Sequence, residues 1–355
     1  MWEKTGDGSI VDSNGKIIYF SAKRFVEDIC LGDCCFICGA MPGEKEFNNE
    51  HILPRWLLRR YDLFANTIVL PNGIKVRYDR YTVPCCSECN SFMGTHIETP
   101  VSEVVQGGAE AINDFIANGG LLTMFVWMAL LFLKTHLKDR QFRVHLDARK
   151  GDDLIADMYE WELLHHIHCL VRAPYVGCSV EIEAVGSVLA LPVRAQASPD
   201  RFDFGDLYLA QTMMIRLDET AILTVFNDSG GAMNYFFQKL EKITGPVSEL
   251  QLREIMVELA YLNLHLKERP TFYTECDGLN DTCRIIIGSR PKLDLSDMDR
   301  SVRGKLMLHA LGDALPRVRV EGLTPEEILS SVQAGNFTFL FDDDGVFIAE
   351  SWTPA

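Results

Sequence analysis

The sequence predicts an α+β protein in which a small N-terminal module precedes a larger mixed α+β domain. Two observations favour this class. Turn motifs such as DSNGK and LPNGIK separate short strand-like runs up to about residue 100. Beyond that point, long apolar helical stretches and strand-like segments follow each other. Because the composition changes there, we expect two domains, residues 1–100 and residues 101–355.

The larger domain is predicted to contain both helices and strands. Helical stretches are expected near 110–137 and 153–171, and apolar residues at helical spacing predict an amphipathic helix near 248–267. Alternation in CSVEIEAVGSVLALPVRAQ and in TMMIRLDETAILTVFND predicts strands, with Asp218 and Glu219 as a hairpin turn. Oligomerisation, signal sensing and binding of a protein partner all remain open as roles for this domain.

The most apolar segment is LLTMFVWMALLFL, residues 121–133. Its length falls short of the roughly 20 residues needed to span a bilayer, so we expect a buried core helix and no membrane partner. The N-terminal residues have mixed charge and no continuous apolar stretch, unlike a signal peptide. We therefore expect a cytoplasmic protein.

Seven of the eleven cysteines lie in the first 100 residues. In a cytoplasmic protein, regularly spaced cysteines indicate metal binding more than a disulfide framework. The four later cysteines are interpreted as small core residues. They are Cys169, Cys178, Cys276 and Cys283.

Two C-x-x-C pairs, 47 residues apart, predict a structural zinc site with four cysteine ligands. The C-x-x-C spacing selects the four ligands, although the adjacent Cys34 and Cys85 could shift either pair by one residue. The alternatives are small buried side chains or a redox pair. Four thiolates close the coordination shell, so any catalysis must come from other residues. The predicted ligands are Cys35, Cys38, Cys86 and Cys89.

Polar residues that suit catalysis lie between and beside these pairs. The segment NNEHILPRW places Glu50 and His51 between them, and Asn90 directly follows the last cysteine. Together with FANTIVLPNG, this order resembles the zinc-stabilised HNH endonucleases, over about residues 30–100. The resemblance implies a ββα-metal fold, with Glu50, His51, Asn66 and Asn90 in the positions of the catalytic residues.

Phosphodiester hydrolysis makes these roles chemically reasonable. A neutral imidazole can accept a proton from water near neutral pH, which suits His51 as general base. Oxygen atoms of Glu50 and Asn90 suit a divalent cation such as Mg²⁺ or Mn²⁺. The resemblance implies that Asn66 orients the imidazole, whereas Asn72 before a glycine is the better turn residue.

Two features depart from the usual HNH pattern. The family usually has aspartate before the histidine, and Glu50 is one methylene longer. The second histidine or asparagine that is common four residues after Asn90 is replaced by Gly94.

Charge gives a mixed indication about nucleic acid. The net charge is −16, yet residues 51–85 carry six basic and two acidic side chains. Within this segment, Arg55, Arg59 and Arg60 are candidates for phosphate contacts, with a solvated surface as the alternative. The sequence therefore predicts a metal-dependent endonuclease acting on DNA, most simply double-stranded, in restriction or anti-phage defence. The alternatives are a non-catalytic zinc module that binds nucleic acid or protein, and a nickase or RNA-directed nuclease.

A histidine-rich run in the larger domain is interpreted as structural. Adjacent helical residues point about 100° apart, so His165, His166 and His168 could not all converge on one metal. We expect them to form a partly buried helix face.

Overall fold

The computed structural model describes residues 2–70, 72–195, 201–289, 294–320 and 322–349. It is 45% helix and 22% strand, which confirms the mixed α+β class. The chain divides into two compact units, each built from several segments. Unit 1 comprises residues 1–103, 122–184 and 272–288, and unit 2 comprises residues 104–121, 185–271 and 289–355.

Short strands and longer helices make up both units. In the described residues, the strands are β1 (Glu3–Lys4), β2 (Ile10–Val11), β3 (Ile17–Tyr19), β4 (Phe47–His51), β5 (Thr67–Val69), β6 (Lys75–Arg77), β7 (Thr82–Cys86), β8 (Ser179–Val180), β9 (Ser187–Pro192), β10 (Phe202–Leu207), β11 (Thr212–Leu217), β12 (Thr220–Val225), β13 (Thr271–Asp277) and β14 (Thr282–Ser289). The α-helices are α1 (Ala22–Arg24), α2 (Arg55–Arg60), α3 (Ser87–Met93), α4 (Thr99–Val104), α5 (Gly108–Phe115), α6 (Leu121–Asp139), α7 (His165–Val176), α8 (Gly231–Leu240), α9 (Glu249–Leu264), α10 (Arg300–Leu311) and α11 (Pro325–Gln333).

Unit 1 contains several small sheets rather than one large one. Strands β1, β2 and β3 form an antiparallel sheet, while β4 pairs with β7 and β5 pairs with β6. Strand β14 lies between β13 and β8, and it runs parallel to β8. Sheets of two or three short strands bury little apolar surface by themselves, so this unit depends on its helices and on the cysteine-rich segment.

Helix α6 is the apolar helix expected from residues 121–133. The continuous helical run Ser87–Asp139 that includes it is long and apolar enough to cross a membrane by length and composition alone. Its most apolar window is 61% buried inside the protein, and every residue from Met124 to Leu137 is buried. Such burial is typical of a core helix of a soluble protein.

Unit 2 is built on a four-stranded antiparallel sheet in the order β10-β11-β12-β9. Helix α9 packs against this sheet and is buried along nearly its whole length. Ser248 caps its first turn by accepting a hydrogen bond from the Gln251 amide. Asp218 takes a positive φ of 57° in the turn between β11 and β12, which confirms the predicted hairpin.

Two predicted helices are shorter than expected. The stretch near 110–137 is interrupted at Asn118 and Gly119, where the φ of Gly119 is +99°. The stretch near 153–171 begins as two 3₁₀ turns and becomes α-helical only at His165. Apolar spacing predicted the buried faces but not these local breaks.

One pair of later cysteines differs from the prediction of unlinked core residues. Cys178 and Cys283 form a disulfide, with their Cα atoms 4.6 Å apart. The parallel pairing of β8 with β14 brings the two residues side by side, because Ser179 pairs with Arg284. The two cysteines are 105 residues apart, so their spacing in the sequence gave no indication of the pairing.

Candidate metal centre and active site

The candidate site lies on a strand pair followed directly by a helix. Strands β4 and β7 are antiparallel, with Glu50 opposite Val83 and His51 opposite Thr82. Helix α3 begins immediately after β7, and the Cys86 side chain caps it by accepting a hydrogen bond from the Cys89 amide at 3.4 Å. The strand pair thus has Glu50 and His51 at one end and Cys85 and Cys86 at the other.

Four cysteines form a cluster that could hold a metal such as zinc. Their Sγ atoms all lie within 4.8 Å of one another. The Cys38 and Cys86 sulfurs are 3.7 Å apart. Zinc–sulfur bonds of about 2.3 Å in a tetrahedron require sulfurs about 3.8 Å apart, so the donor set and the spacing fit Zn²⁺. The cluster consists of Cys35, Cys38, Cys86 and Cys89, the four predicted ligands.

The backbone of the first C-x-x-C pair adopts a tight turn. The Gly39 amide donates to the Cys35 carbonyl at 2.8 Å, and Gly39 has a φ of +76°. A Cβ at this position would lie 2.6 Å from the Phe20 ring, so the turn requires glycine for both conformation and space. Hydrogen bonds from neighbouring thiols, that of Cys38 first, hold the pKa of Cys35 well below its ordinary value.

Helix α7 binds the two residues between the cysteines of this pair. The buried His168 ring contacts the Phe36 carbonyl through Nε2 at 2.8 Å, and Arg172 Nε donates to the Ile37 carbonyl at 2.5 Å. Burial lowers the pKa of Arg172 to about 10, which still leaves the guanidinium charged at neutral pH. The cysteine turn is therefore fixed from outside by a buried cation.

The three histidines singled out in the sequence all have structural partners. His165 and His166 contact the carbonyls of Phe20 and Ala184 through Nε2, as His168 does with Phe36. Each ring thus binds a different carbonyl, and the helix-face interpretation is confirmed.

A cavity of about 230 Å³ lies beside strand β4. It brings together the predicted pair Glu50 and His51 with Asn90 from α3, as well as Arg55 from α2. The eight residues that line it are Asn48, Asn49, Glu50, His51, Arg55, Trp56, Asn90 and Glu98.

His51 is half-buried in the cavity wall. Burial lowers the pKa of its imidazole, against the opposing effect of the neighbouring Glu50 charge. The ring meets the Phe64 ring edge-on, with centroids 6.4 Å apart. A neutral imidazole at the edge of a polar cavity is able to accept a proton there.

Asn90 faces the same strand from the helix side. Its Nδ2 donates to Asn48 Oδ1 at 3.0 Å, which leaves the Asn90 amide oxygen as an acceptor. Asn48 and Glu50 are two apart on β4 and therefore lie on the same face of the strand. Asn48 escaped the sequence analysis, although this alternation pointed to it.

The two loop asparagines have different positions. Asn66 is exposed and is not among the described residues that line the cavity, so its proposed role in orienting the imidazole stays a prediction. Its backbone carbonyl accepts from the Tyr78 amide at 3.1 Å. Asn72 forms the expected turn, because its Oδ1 accepts from the Ile74 amide at 2.9 Å and Gly73 has a φ of +80°.

Three arginines lie on the short helix that follows His51. Arg55, Arg59 and Arg60 are all exposed on α2, and Arg55 also lines the cavity. Arg55 and Arg59 are one turn apart and lie on the same side of the helix. This arrangement is suited to phosphate contacts at the cavity mouth.

Glu50 is only 7% exposed, and its carboxylate binds a buried lysine that the sequence analysis missed. Lys134 Nζ, on α6, donates to Glu50 Oε1 at 2.8 Å and to the His51 carbonyl at 2.8 Å. Lys134 itself is 1% exposed. A lysine ending a run of apolar helical residues was the available signal, since lysine is almost never fully buried unless it is paired.

A second carboxylate was also missed. Glu98 lines the cavity, and its Oε1 lies 3.9 Å from Lys134 Nζ. Burial raises the pKa of Glu98 to about 7, with Lys134 acting in the opposite direction. Asn90 and Glu98 are eight residues apart, and in a continuous α-helix their side chains would point about 80° apart around the axis. The wider π turn Gly94–Glu98 changes this angle.

Comparison with known proteins does not add to this description. No protein-family model matches the chain, and no curated protein or solved structure is significantly similar to it.

Proposed function

We propose that this chain is a metal-dependent endonuclease of the HNH kind that hydrolyses DNA phosphodiester bonds. One observation carries the proposal. The strand residues Glu50 and His51 and the helix residue Asn90 line a single cavity, and Asn90 directly follows Cys89 of the four-cysteine cluster. A strand pair followed by a helix is also the order that the ββα-metal resemblance implies.

Hydrolysis at this site begins with His51. Its neutral imidazole accepts a proton from water as the water oxygen attacks phosphorus, and the bond to the 3′ oxygen breaks. The leaving oxygen is protonated from solvent, which gives a 5′-phosphate and a 3′-hydroxyl. Arg55, at the cavity wall, binds a neighbouring phosphate and orients the strand.

The cavity offers a suitable donor set for Mg²⁺ or Mn²⁺. Glu50 has one carboxylate oxygen engaged by Lys134 and a second remaining, and the Asn90 amide oxygen lies in the same wall. These are the hard oxygen ligands that such ions prefer. A bound divalent cation supplies positive charge opposite the scissile phosphate and the leaving oxygen.

A non-catalytic zinc module is the second candidate, and the Glu50–Lys134 pair favours it. A carboxylate bound to a buried ammonium can have a purely structural role at the end of a strand. In that case the exposed arginines of α2 would bind nucleic acid, or protein, without cleavage.

Cleavage of supercoiled plasmid by zinc-loaded protein with Mg²⁺ or Mn²⁺ separates these functions. We expect His51→Ala to reduce the cleavage rate at least about 100-fold, because general base catalysis contributes at least that much. His96→Ala is the matched control, since His96 is exposed and does not line the cavity. Zinc content and circular dichroism should stay unchanged in both variants.

The products identify the remaining alternatives. Relaxed circles without linear DNA indicate a nickase, and cleavage confined to a parallel RNA substrate indicates an RNA-directed nuclease. Nucleic-acid binding without any cleavage by wild type, or equal cleavage by His51→Ala, would contradict the proposal and favour the binding module.

A further inference from the structure

A positive charge lies beneath the candidate active site, on an element outside the strand pair and helix that form it. Lys134 is buried within α6, yet its Nζ hydrogen-bonds both members of the Glu50–His51 pair, the first at the side chain and the second at the backbone carbonyl. These two contacts leave one N–H of the ammonium, and Glu98 Oε1 lies 3.9 Å from Nζ.

Lys134 cannot itself act on a substrate. At 1% exposure it is not among the residues lining the cavity, so a phosphate in the cavity would not reach it. Its effect must pass through the two carboxylates, because Glu50 and Glu98 line the cavity and lie next to the ammonium.

We propose that Lys134 is a positioning residue of the nuclease site, which holds the Glu50 carboxylate in its productive orientation and limits the affinity of the cavity for divalent cations. This inference rests on the proposed function. Lys134 neutralises one of two acidic side chains, so the group of Glu50, Glu98 and Lys134 carries a formal charge of about −1 rather than −2 at a pH above 7, where Glu98 is ionised. Lys134 thereby weakens the binding of a divalent cation while it fixes the orientation of the Glu50 carboxylate.

Orientation and charge can be separated with two variants at pH 8. Lys134→Met keeps the length of the side chain but removes the positive charge, so the group becomes more negative, reaching −2 to the extent that Glu98 stays ionised without Lys134. The double variant Lys134→Met with Glu98→Gln returns it to −1 while Glu50 remains unheld. Lys138→Met is the matched control, one turn further along α6, where Lys138 bonds Gln141 instead.

Two measurements are made on each zinc-loaded protein, namely Mn²⁺ affinity by electron paramagnetic resonance and plasmid cleavage. We expect Lys134→Met to bind Mn²⁺ at least about 10-fold more tightly and to cleave at least about 10-fold more slowly, because a nearby unit charge and a carboxylate orientation are both lost. The double variant should bind Mn²⁺ within about threefold of wild type and still cleave slowly. Lys138→Met should match wild type in both measurements.

Other outcomes would overturn the inference. Unchanged or weaker Mn²⁺ binding by folded Lys134→Met excludes a role in setting affinity, and cleavage at the wild-type rate by either Lys134 variant excludes a role in orientation. If the single variant does not fold, the charge-matched double variant decides by its cleavage rate. A wild type that cleaves nothing contradicts the nuclease proposal, whereas the Mn²⁺ affinities still test Lys134.

Discussion

His166 makes the stability of unit 1 depend on pH. Its ring stacks on Phe272 with centroids 3.7 Å apart and contacts the Ala184 carbonyl through Nε2. Burial lowers the pKa of His166 from 6.5 to about 4. The folded chain therefore keeps this ring neutral, while the unfolded chain binds a proton as the pH falls below 6.5.

The sign of the effect follows from these pKa values. Stability contributed by neutral His166 is present above pH 6.5 and is lost as the pH falls towards 4, at up to about 1.4 kcal/mol per pH unit. We expect His166→Gln to weaken this dependence between pH 7 and pH 5 by up to about 2 kcal/mol, less to the extent that the ring contacts solvent.

Urea unfolding of wild type and variant at pH 7, 6 and 5 measures this difference. Subtraction removes the contribution of the zinc ligands, which is common to both proteins. The same substitution at exposed His96 should leave the wild-type pH dependence intact. Parallel pH profiles for wild type and His166→Gln would show that His166 is protonated alike in the folded and unfolded chains.

Single residues were predictable where a local pattern identified them. Asp218 and Asn72 were assigned to turns from their neighbours alone, and both are turn residues. The burial of Lys134 could have been inferred from its place in α6, but its partner could not, because Glu50 is 84 residues away and no local pattern joins α6 to β4. The same holds for Glu98, which is the last residue of the π turn Gly94–Glu98, a local break that the sequence pattern does not indicate.

At the scale of elements, the backbone at the two C-x-x-C pairs decides which thiols lie in the cluster that could hold a metal. Cys35 and Cys86 belong to the cluster, whereas the adjacent Cys34 and Cys85 do not. We expect Cys38→Ser or Cys86→Ser to abolish retention of zinc, because a tetrahedral site loses one of its four thiolates and with it much of the metal's contribution to folding.

Cys34→Ser and Cys85→Ser are the matched controls, because each of these cysteines directly precedes the first cysteine of a C-x-x-C pair. Both should retain one zinc ion per chain when measured by atomic absorption after dialysis. Loss of zinc in Cys85→Ser with retention in Cys86→Ser would instead indicate that the second pair is shifted by one residue. Such a shift is geometrically feasible, because the sulfurs of Cys35 and Cys85 are also 3.7 Å apart.

Helices and the cysteine cluster could be predicted where the spacing of residues in the sequence matches the side chains that are buried in the structure. The C-x-x-C spacing predicted the four members of the cysteine cluster, and apolar spacing predicted α6 and α9. The interruption at Gly119 and the late start of α7 depend on tertiary contacts, which a helical pattern does not contain. The partners of α7, which are backbone carbonyls such as that of Phe36, were likewise outside the reach of periodicity.

At the scale of the molecule, the α+β class followed from the mixture of patterns, but the way in which the chain is shared between units did not. Unit 1 recruits residues 122–184 and 272–288, and unit 2 recruits residues 104–121. A change of composition marks where character alters along a chain, whereas a compact unit is defined by which segments pack together. Discontinuous segments therefore have no linear boundary to detect.

This division predicts that removal of zinc acts on one unit. The four cysteines belong to unit 1, where the sheets are small, whereas unit 2 has a large core cluster that includes α9 and its sheet. Metal binding supplies folding free energy only to the unit that contains the ligands. We expect a zinc chelator to increase amide exchange in β4, β7 and α3 at least about 10-fold, while α9 keeps its protection.

Hydrogen exchange monitored by mass spectrometry reads both units in one sample. Addition of excess zinc should restore protection in β4 and β7, which controls for irreversible damage. Loss of protection in α9 on the same timescale would mean that unit 2 depends on the metal for its own folding, and unchanged exchange in β4 would mean that the cluster does not stabilise the candidate site. If exchange increases only in unit 1, the four-cysteine cluster stabilises strand β4, which carries Glu50 and His51. A site closed by four thiolates can have this structural role.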